Sequence, residues 1–517
     1  MDDIAIELAK KQRAISVAEF FEKNRHLLGF DSKRKAILTC IKEAVDNSLD
    51  ACEEMNIQPD ILVKVSKKGE NKYKIIVEDN GPGIVKEQIP KIFGSLLYGS
   101  KFHTMKQSRG QQGIGISASV LYAQLTTGTP AKIISKTKTG EAYLYELIID
   151  VTKNAPEIIT EVKFENFKKE HGTRIELVIE AVFLNKGQHS VEEFIRRTSL
   201  INPHAKITFV GPDGTKKVFK NIANYMPRKA KEIKPHPYGI ELGILLRMLK
   251  NTNKNTLLSF LQNDFSRIGS SSAKEILKLA KLNSGDKPHN LSVEEADRLL
   301  KAMQKVKLMA PPTDCLSPIG QEALKKSMEQ ELGNPAFVVS LTRAPTVYRG
   351  MPFQIEVGLA YDEKFGENTI EVLRFANKVP LSFEKSACVI TKTVNSIDWK
   401  RYGLKQSGNT VYGPVVLVVH MASVWVPFTS EGKQAIASYP IIEKEIKLAL
   451  MELGRKLKTY IAKKYKEKKK RERLNIFIKY APLTAKAIAE LTDSNEEDIE
   501  KKILNYLNKE QIEVEEK

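Results

Sequence analysis

Glu43-Ala44-Val45-Asp46-Asn47-Ser48-Leu49-Asp50 lies inside an amphipathic pattern running from about Ser32 to Met55. Ile37, Ile41, Ala44, Val45, Leu49 and Cys52 recur close to the helical period, which predicts a helix with one buried stripe. Glu43, Asn47 and Asp50 stand at i, i+4 and i+7 and share the opposite face. A carboxylate and a carboxamide one turn apart suit a hydrated Mg²⁺ and a polarised water. Asn offers a hard oxygen without adding charge, and Glu can act as general base. Taken alone, the segment reads first as the solvated face that most amphipathic helices carry.

Two strands are predicted next, Ile61–Ser66 and Tyr73–Asp79, joined by a polar turn over Lys67–Lys72. Glu78-Asp79-Asn80-Gly81-Pro82-Gly83-Ile84 then closes the apolar run Ile75-Ile76-Val77. An acid at a strand end followed by G-P-G lets the backbone turn sharply and leaves space beside the carboxylate, which can accept from an exocyclic amine such as adenine's. A plain turn fits the same residues. From Gly94 to Gly115 the chain is punctuated by glycine, with Gly99-Ser100-Lys101 and Ser108-Arg109-Gly110-Gln111-Gln112-Gly113-Ile114-Gly115. The spacing G-x-x-G-x-G just before a predicted helix at Ile114–Gln124 gives bare amides at a helix N-terminus, a phosphate cradle. It is neither the dinucleotide fingerprint, whose order is reversed, nor a P-loop, because no G-x-x-x-x-G-K-[ST] occurs.

In this order, followed by a strand carrying Gly172-Thr173, the segments over residues 30–180 resemble the Bergerat nucleotide fold. That fold is shared by gyrase-type ATPases, heat-shock chaperones, histidine kinases and mismatch-repair ATPases. Leu97-Tyr98-Gly99-Ser100-Lys101-Phe102-His103, Ser108–Ile116 and Ala422-Ser423-Val424-Trp425-Val426-Pro427-Phe428-Thr429-Ser430-Glu431-Gly432-Lys433-Gln434 narrow the resemblance to the B subunits of archaeal type IIB topoisomerases, topoisomerase VI, over residues 1–475.

The resemblance implies ATP and Mg²⁺ as cofactors. Glu43 would activate the attacking water and Asn47 would hold Mg²⁺. Asp79 would read adenine, with Gly81, Gly83 and Thr173 also on the nucleotide, while Ser100, Lys101, Arg109, Gly110, Gln111, Gln112, Gly113, Ile114, Gly115 and Ile116 would wrap the phosphates. Lys433 would reach the γ-phosphate from a second α/β region and sense whether it is present; without the resemblance it reads as an exposed loop lysine.

The fold class expected is multidomain α/β (α+β). A Bergerat-type ATPase sandwich would span 1–228, with an N-terminal arm over 1–30 that family members exchange across a dimer. An all-helical helix–two-turns–helix insert would span 229–311, with Lys250, Lys254, Arg267, Lys274, Lys278 and Lys281 able to face phosphates or merely solvent. A second α/β transducer domain with a βαβ crossover and a long C-terminal helix would span 312–475, and two short helices split at Asp493–Asn495 would form a tail over 476–517.

Composition agrees with a nucleic-acid machine. The chain has 517 residues, 82 Lys plus Arg against 63 Asp plus Glu, and so a net charge of +19, which favours a polyanionic partner. Eleven Lys or Arg fall between Arg455 and Arg473. Cys40, Cys52, Cys315 and Cys388 form no C-x-x-C pair, which argues against a zinc ribbon or disulfide scaffold. No apolar run reaches the ~18 residues of a membrane span, so a cytoplasmic, nucleoid-associated location is expected. The function expected is the ATP-hydrolysing subunit of a type II DNA topoisomerase. Nucleotide would drive a homodimer that closes a gate on double-stranded DNA, and a cleaving A subunit would complete an A2B2 heterotetramer. The alternatives are a mismatch-repair-type ATPase and a chaperone-like ATP clamp. The helical insert argues against the first and the positive charge against the second.

Overall fold

The computed structural model describes residues 4–100, 104–110, 113–430, 432–492 and 495–515. Two short helices, α1 (Ile4–Lys11) and α2 (Val17–Lys23), lead into α3 (Lys33–Met55). Ser32 caps α3 by accepting from the Lys35 amide, and Asn56 ends it in the left-handed conformation that a carboxamide tolerates. Its apolar stripe is buried as the period requires: Ile37, Ile41, Val45, Leu49 and Cys52 are all 2% exposed or less.

α3 packs on an eight-stranded sheet made of β1 (Asp60–Gly69), β2 (Lys72–Glu78), β3 (Ala131–Lys136), β4 (Ala142–Asp150), β5 (Ala155–Lys163), β6 (Gly172–Glu180), β7 (Lys206–Val210) and β8 (Lys216–Phe219). The order is β5-β4-β3-β6-β2-β1-β7-β8. Only β1 and β7 run parallel among these neighbours. α4 (Ile89–Gly94), α5 (Gly115–Thr127) and α6 (Val191–Ile201) join α3 over one shared core. The polar turn predicted over Lys67–Lys72 is tighter than expected: Asn71 takes φ +55, and pairing continues to Gly69↔Lys72.

A purely helical region follows, α7 (Leu242–Asn251), α8 (Leu257–Asp264), α9 (Ser270–Ala280) and α10 (Val293–Lys305), with its own buried cluster around Leu245, Phe260, Ile276 and Leu299. Lys250, Arg267, Lys274, Lys278 and Lys281 are exposed on it and Lys254 is partly so.

The second sheet contains β9 (Phe337–Thr342), β10 (Thr346–Tyr348), β11 (Met351–Tyr361), β12 (Glu371–Ala376), β13 (Val379–Pro380) and β16 (Val415–Ser423); β14 (Lys405–Ser407) and β15 (Thr410–Tyr412) form a separate hairpin. β12 and β16 pair in parallel and are joined through α12 (Val389–Ser396), which is the expected βαβ crossover. β16 is buried along all nine residues, because α12 covers one face of the sheet and α11 (Gln321–Glu331) the other.

α13 (Pro440–Thr492) has 53 residues and is anchored to this sheet through Ile442, Ile446, Ala449, Leu450, Leu453 and Leu457. The tail differs from expectation. Its first predicted short helix is the end of α13, which continues through Pro482 to Thr492. One proline removes a single backbone donor, and the turns on either side keep theirs. α14 (Glu496–Glu515) packs along α13. All four cysteines are buried and free. No described helix is long and apolar enough to cross a membrane.

Candidate nucleotide site

A cavity of about 650 Å³ opens between α3, the first sheet, the N-terminus of α5 and two loops of the second sheet. Asp79 closes one end. It is 5% exposed, and its carboxylate accepts from Ser48 Oγ at 2.9 Å, the Gly81 amide at 2.8 Å and the Thr173 amide at 3.1 Å. Burial raises its pKa while these three donors pull it back. The glycines here are demanded by space. A Cβ on Gly83, at φ +72, would lie 2.1 Å from the Lys136 carbonyl oxygen. On Gly172, a Cβ would lie 2.2 Å from the Asp79 carbonyl oxygen.

The polar face of α3 forms the floor. Asn47 is exposed although Ala44–Asp46 and Ser48–Asp50 are buried, so its carboxamide faces the cavity. Glu43 lies one turn earlier, with Lys42 Nζ 2.9 Å from Oε1. Burial alone would raise the Glu43 carboxyl, but Lys42 and Lys433 outweigh it and hold it below the ordinary carboxylate range. A hard amide oxygen beside an ionised carboxylate fits Mg²⁺, which prefers a few protein oxygens and keeps water and phosphate in its shell. No cluster of three or more His, Cys, Asp or Glu that could cage a metal occurs among the described residues.

Gly110, Gly113, Ile114, Gly115, Ile116, Ser100 and Thr173 all line the cavity, and Lys433 enters from the second sheet's 432–434 loop. Lys433 is held at φ +53, and its Nζ donates to the Arg109 carbonyl oxygen at 3.4 Å. Burial lowers its pKa, opposed by Glu43. Two expected residues stand elsewhere. Gly81 supports Asp79 without lining the cavity. Arg109 turns its guanidinium away, giving Nη1 to Asp50 at 2.8 Å and Nη2 to Glu53 and Asn202 at 2.6 and 2.5 Å. Two acids and an amide hold both Nη groups away from the cavity, with Nε unpartnered among the described residues, so the side chain does not stand where its expected role as a phosphate ligand needs it. Lys101, Gln111 and Gln112 lie outside the described residues.

Ser48, Lys42 and the second sheet's Pro380, Ser382 and Phe383 line the site without having been anticipated. Ser48 and Lys42 are flagged only by adjacency to Asn47 and Glu43. The 380–383 loop carries no signal in sequence.

Two outcomes follow from this geometry. A Cβ on Gly115 would lie 1.8 Å from Glu43 Oε2. Gly115→Ala favours the helix intrinsically yet must displace that carboxylate. ATP hydrolysis should fall by roughly 100-fold or more while calorimetric ADP affinity and melting temperature hold; wild-type turnover would show that the position of Glu43 is immaterial. Asp46 is buried beside Lys42, which is 3.7 Å away, and its Oδ1 has no hydrogen-bond partner among the described residues. Burial pushes it up to about 6 from 3.8. Between those values the folded chain keeps a proton that the unfolded chain has released, so stability declines as pH rises through that window, by ~3 kcal/mol in all. Asp46→Asn should therefore raise the melting temperature at pH 8 and change it little at pH 4. Equal shifts at both would refute the argument.

Comparison with known proteins matches these parts in chain order. Residues 32–182 match the histidine kinase-, DNA gyrase B- and HSP90-like ATPase family, and residues 311–473 match the family described as topoisomerase VI B subunit, transducer. The type 2 DNA topoisomerase 6 B subunit of Methanosarcina barkeri is 50% identical over 499 residues, 96% of this chain and 80% of that one. That of Archaeoglobus fulgidus is 48% identical over 510 residues, covering 98% and 84%. That of Pyrococcus horikoshii is 39% identical over 558 residues, covering 99% and 98%. Identity at this level over nearly the whole chain, with the ATPase fold first and the transducer after it, makes the chain a member of the family of type 2 DNA topoisomerase 6 B subunits.

Proposed function

We propose that the cavity binds ATP with Mg²⁺ and that its hydrolysis drives strand passage by a type II DNA topoisomerase. The observation that carries this is that one cavity is lined by Glu43 and Asn47 from α3, Asp79 from the first sheet and Lys433 from the second. Asp79 accepts the adenine amine. Asn47 holds Mg²⁺, which when bound supplies charge neutralisation at the phosphates. The amides of Gly110, Gly113 and Gly115, with Ser100 and Ile114–Ile116, cradle the phosphates at the start of α5.

Glu43 orients a water against the γ-phosphorus and takes its proton as the bond to the bridging oxygen breaks. While Lys42 and, after it, Lys433 pull on Glu43, that carboxylate is a weak base. A γ-phosphate draws Lys433 to itself and leaves Glu43 more basic, so the site is competent only when ATP, not ADP, is bound.

On the same reading, residues 1–228, 229–311, 312–475 and 476–517 act as ATPase domain, helical module, transducer and tail. ATP closes two such chains into a dimer around double-stranded DNA, and a separate A subunit, giving A2B2, does the cutting. The cell compartment is the cytoplasm, at the nucleoid. Family membership leaves no support for the mismatch-repair and chaperone alternatives.

Lys433→Ala should weaken affinity for a non-hydrolysable ATP analogue by ~10-fold or more and leave ADP affinity nearly unchanged. Glu43→Ala should keep analogue binding and lose hydrolysis. Calorimetry with both nucleotides decides the first, and equal losses would remove the γ-phosphate role. The complex with the A subunit should relax supercoiled DNA only with ATP and Mg²⁺; relaxation without ATP would sink the functional reading.

A further inference from the structure

Asn377 and Lys378 form the two-residue turn between β12 and β13, where Ala376 pairs with Val379. Both have positive φ, +47 and +64. A turn of this hand selects Asn-Gly, because the second position disfavours a Cβ. A lysine stands there instead, and it is 2% exposed. Strain and a buried ammonium together at one position, in a turn that glycine would make freely, point to a task for the side chain.

The surroundings name the task. Lys378 Nζ donates to Ser317 Oγ at 3.0 Å and lies 3.7 Å from Glu53 Oε1, the same oxygen that receives Arg109 Nη2 at 2.6 Å. His204 Nε2 is 2.9 Å from that oxygen as well. The Lys378 carbonyl accepts from Asn202 Nδ2 at 3.1 Å, and Asn202 Oδ1 receives Arg109. The Lys378 amide donates to His420 Nε2 at 3.0 Å on β16, whose ring is 2.8 Å from Glu356. Asn377 Nδ2 reaches the Ser108 carbonyl at 3.1 Å. One turn of the second sheet therefore grips both residues that precede the phosphate loop, Ser108 directly through Asn377 and Arg109 through Glu53, an acid of α3. The Arg109 carbonyl is also where Lys433 rests.

We infer that Lys378 is a positioning residue for ATP hydrolysis: through Glu53 and Arg109 it holds the phosphate loop in register with the second sheet that carries Lys433. This rests on the nucleotide-site reading above. Its contribution differs from that of Lys433, since it touches no part of the nucleotide cavity and should affect turnover without affecting ground-state binding.

The test is steady-state ATP hydrolysis and ADP calorimetry on the full chain. Lys378→Gly, which suits the turn, should lower kcat by about tenfold or more with KM and ADP affinity within about twofold. Lys378→Arg should keep kcat within about threefold of wild type. In a Glu53→Gln background, Lys378→Gly should cost less than about twofold further, because the route through Glu53 is already cut. Unchanged kcat in Lys378→Gly overturns the inference. So does a parallel loss of ADP affinity, failure of that variant to fold, or the full tenfold loss persisting beside Glu53→Gln. Wild-type turnover in Glu43→Ala would overturn the site reading itself, and this inference with it.

Discussion

Burying the Arg109 guanidinium is the constraint around which the two sheets are arranged. A fully charged, five-donor group out of water must be surrounded by acceptors, and leaving one charge unpaired there would cost several kcal/mol. Asp50 and Glu53 take its two Nη groups from the last turns of α3, with Asn202 from the end of α6, while the buried Nε finds no partner among the described residues. Because Arg109 begins the glycine loop, those same bonds fix where the loop leaves the core and enters the cavity. Because Glu53 and Asn202 also bond Lys378, they fix where the second sheet sits against the first.

α3 thus does three things along one length. Its apolar stripe builds the core, its middle turns present Glu43 and Asn47 to the cavity, and its last turns hold Arg109. A helix can serve this way because faces at 100° steps are independent over short range. Asp79 is the counterpart on the sheet. Three donors already fix its carboxylate, so an adenine amine would meet an acceptor that needs no reorganisation.

Much of this was legible in sequence because it is local. The spacing from Glu43 to Asn47, the acid before Gly81-Pro82-Gly83 and the glycines before α5 are all decided within one turn or one loop, and the period of α3 predicts its buried stripe. What was not legible is non-local. Arg109 sits in a glycine-rich loop and reads as a phosphate ligand, but its partners lie 59, 56 and 93 residues away. Nothing in Asn377-Lys378 distinguishes that lysine in a chain so rich in lysine; only the positive φ and the burial do. The tail misled in the opposite direction. The expected break at Asp493–Asn495 does fall between two helices, but the first is not short: it is the end of α13, which passes Pro482, and α14 packs along it.

The length of α13 has a mechanical meaning. Its contacts with the second sheet run through Tyr460 and Ile461 to Lys464, which meets Glu363, and the helix goes on to Thr492. At 1.5 Å per residue that overhang is about 40 Å long. It is a pointer fixed at one end to the sheet that bears Lys433. A tilt of roughly 10° at the base, small on the scale of side-chain repacking, would sweep its far end through about 7 Å. On the proposed reading of Lys433, the loss of one phosphate contact at the cavity would thereby become a displacement wider than the separation between two neighbouring strands.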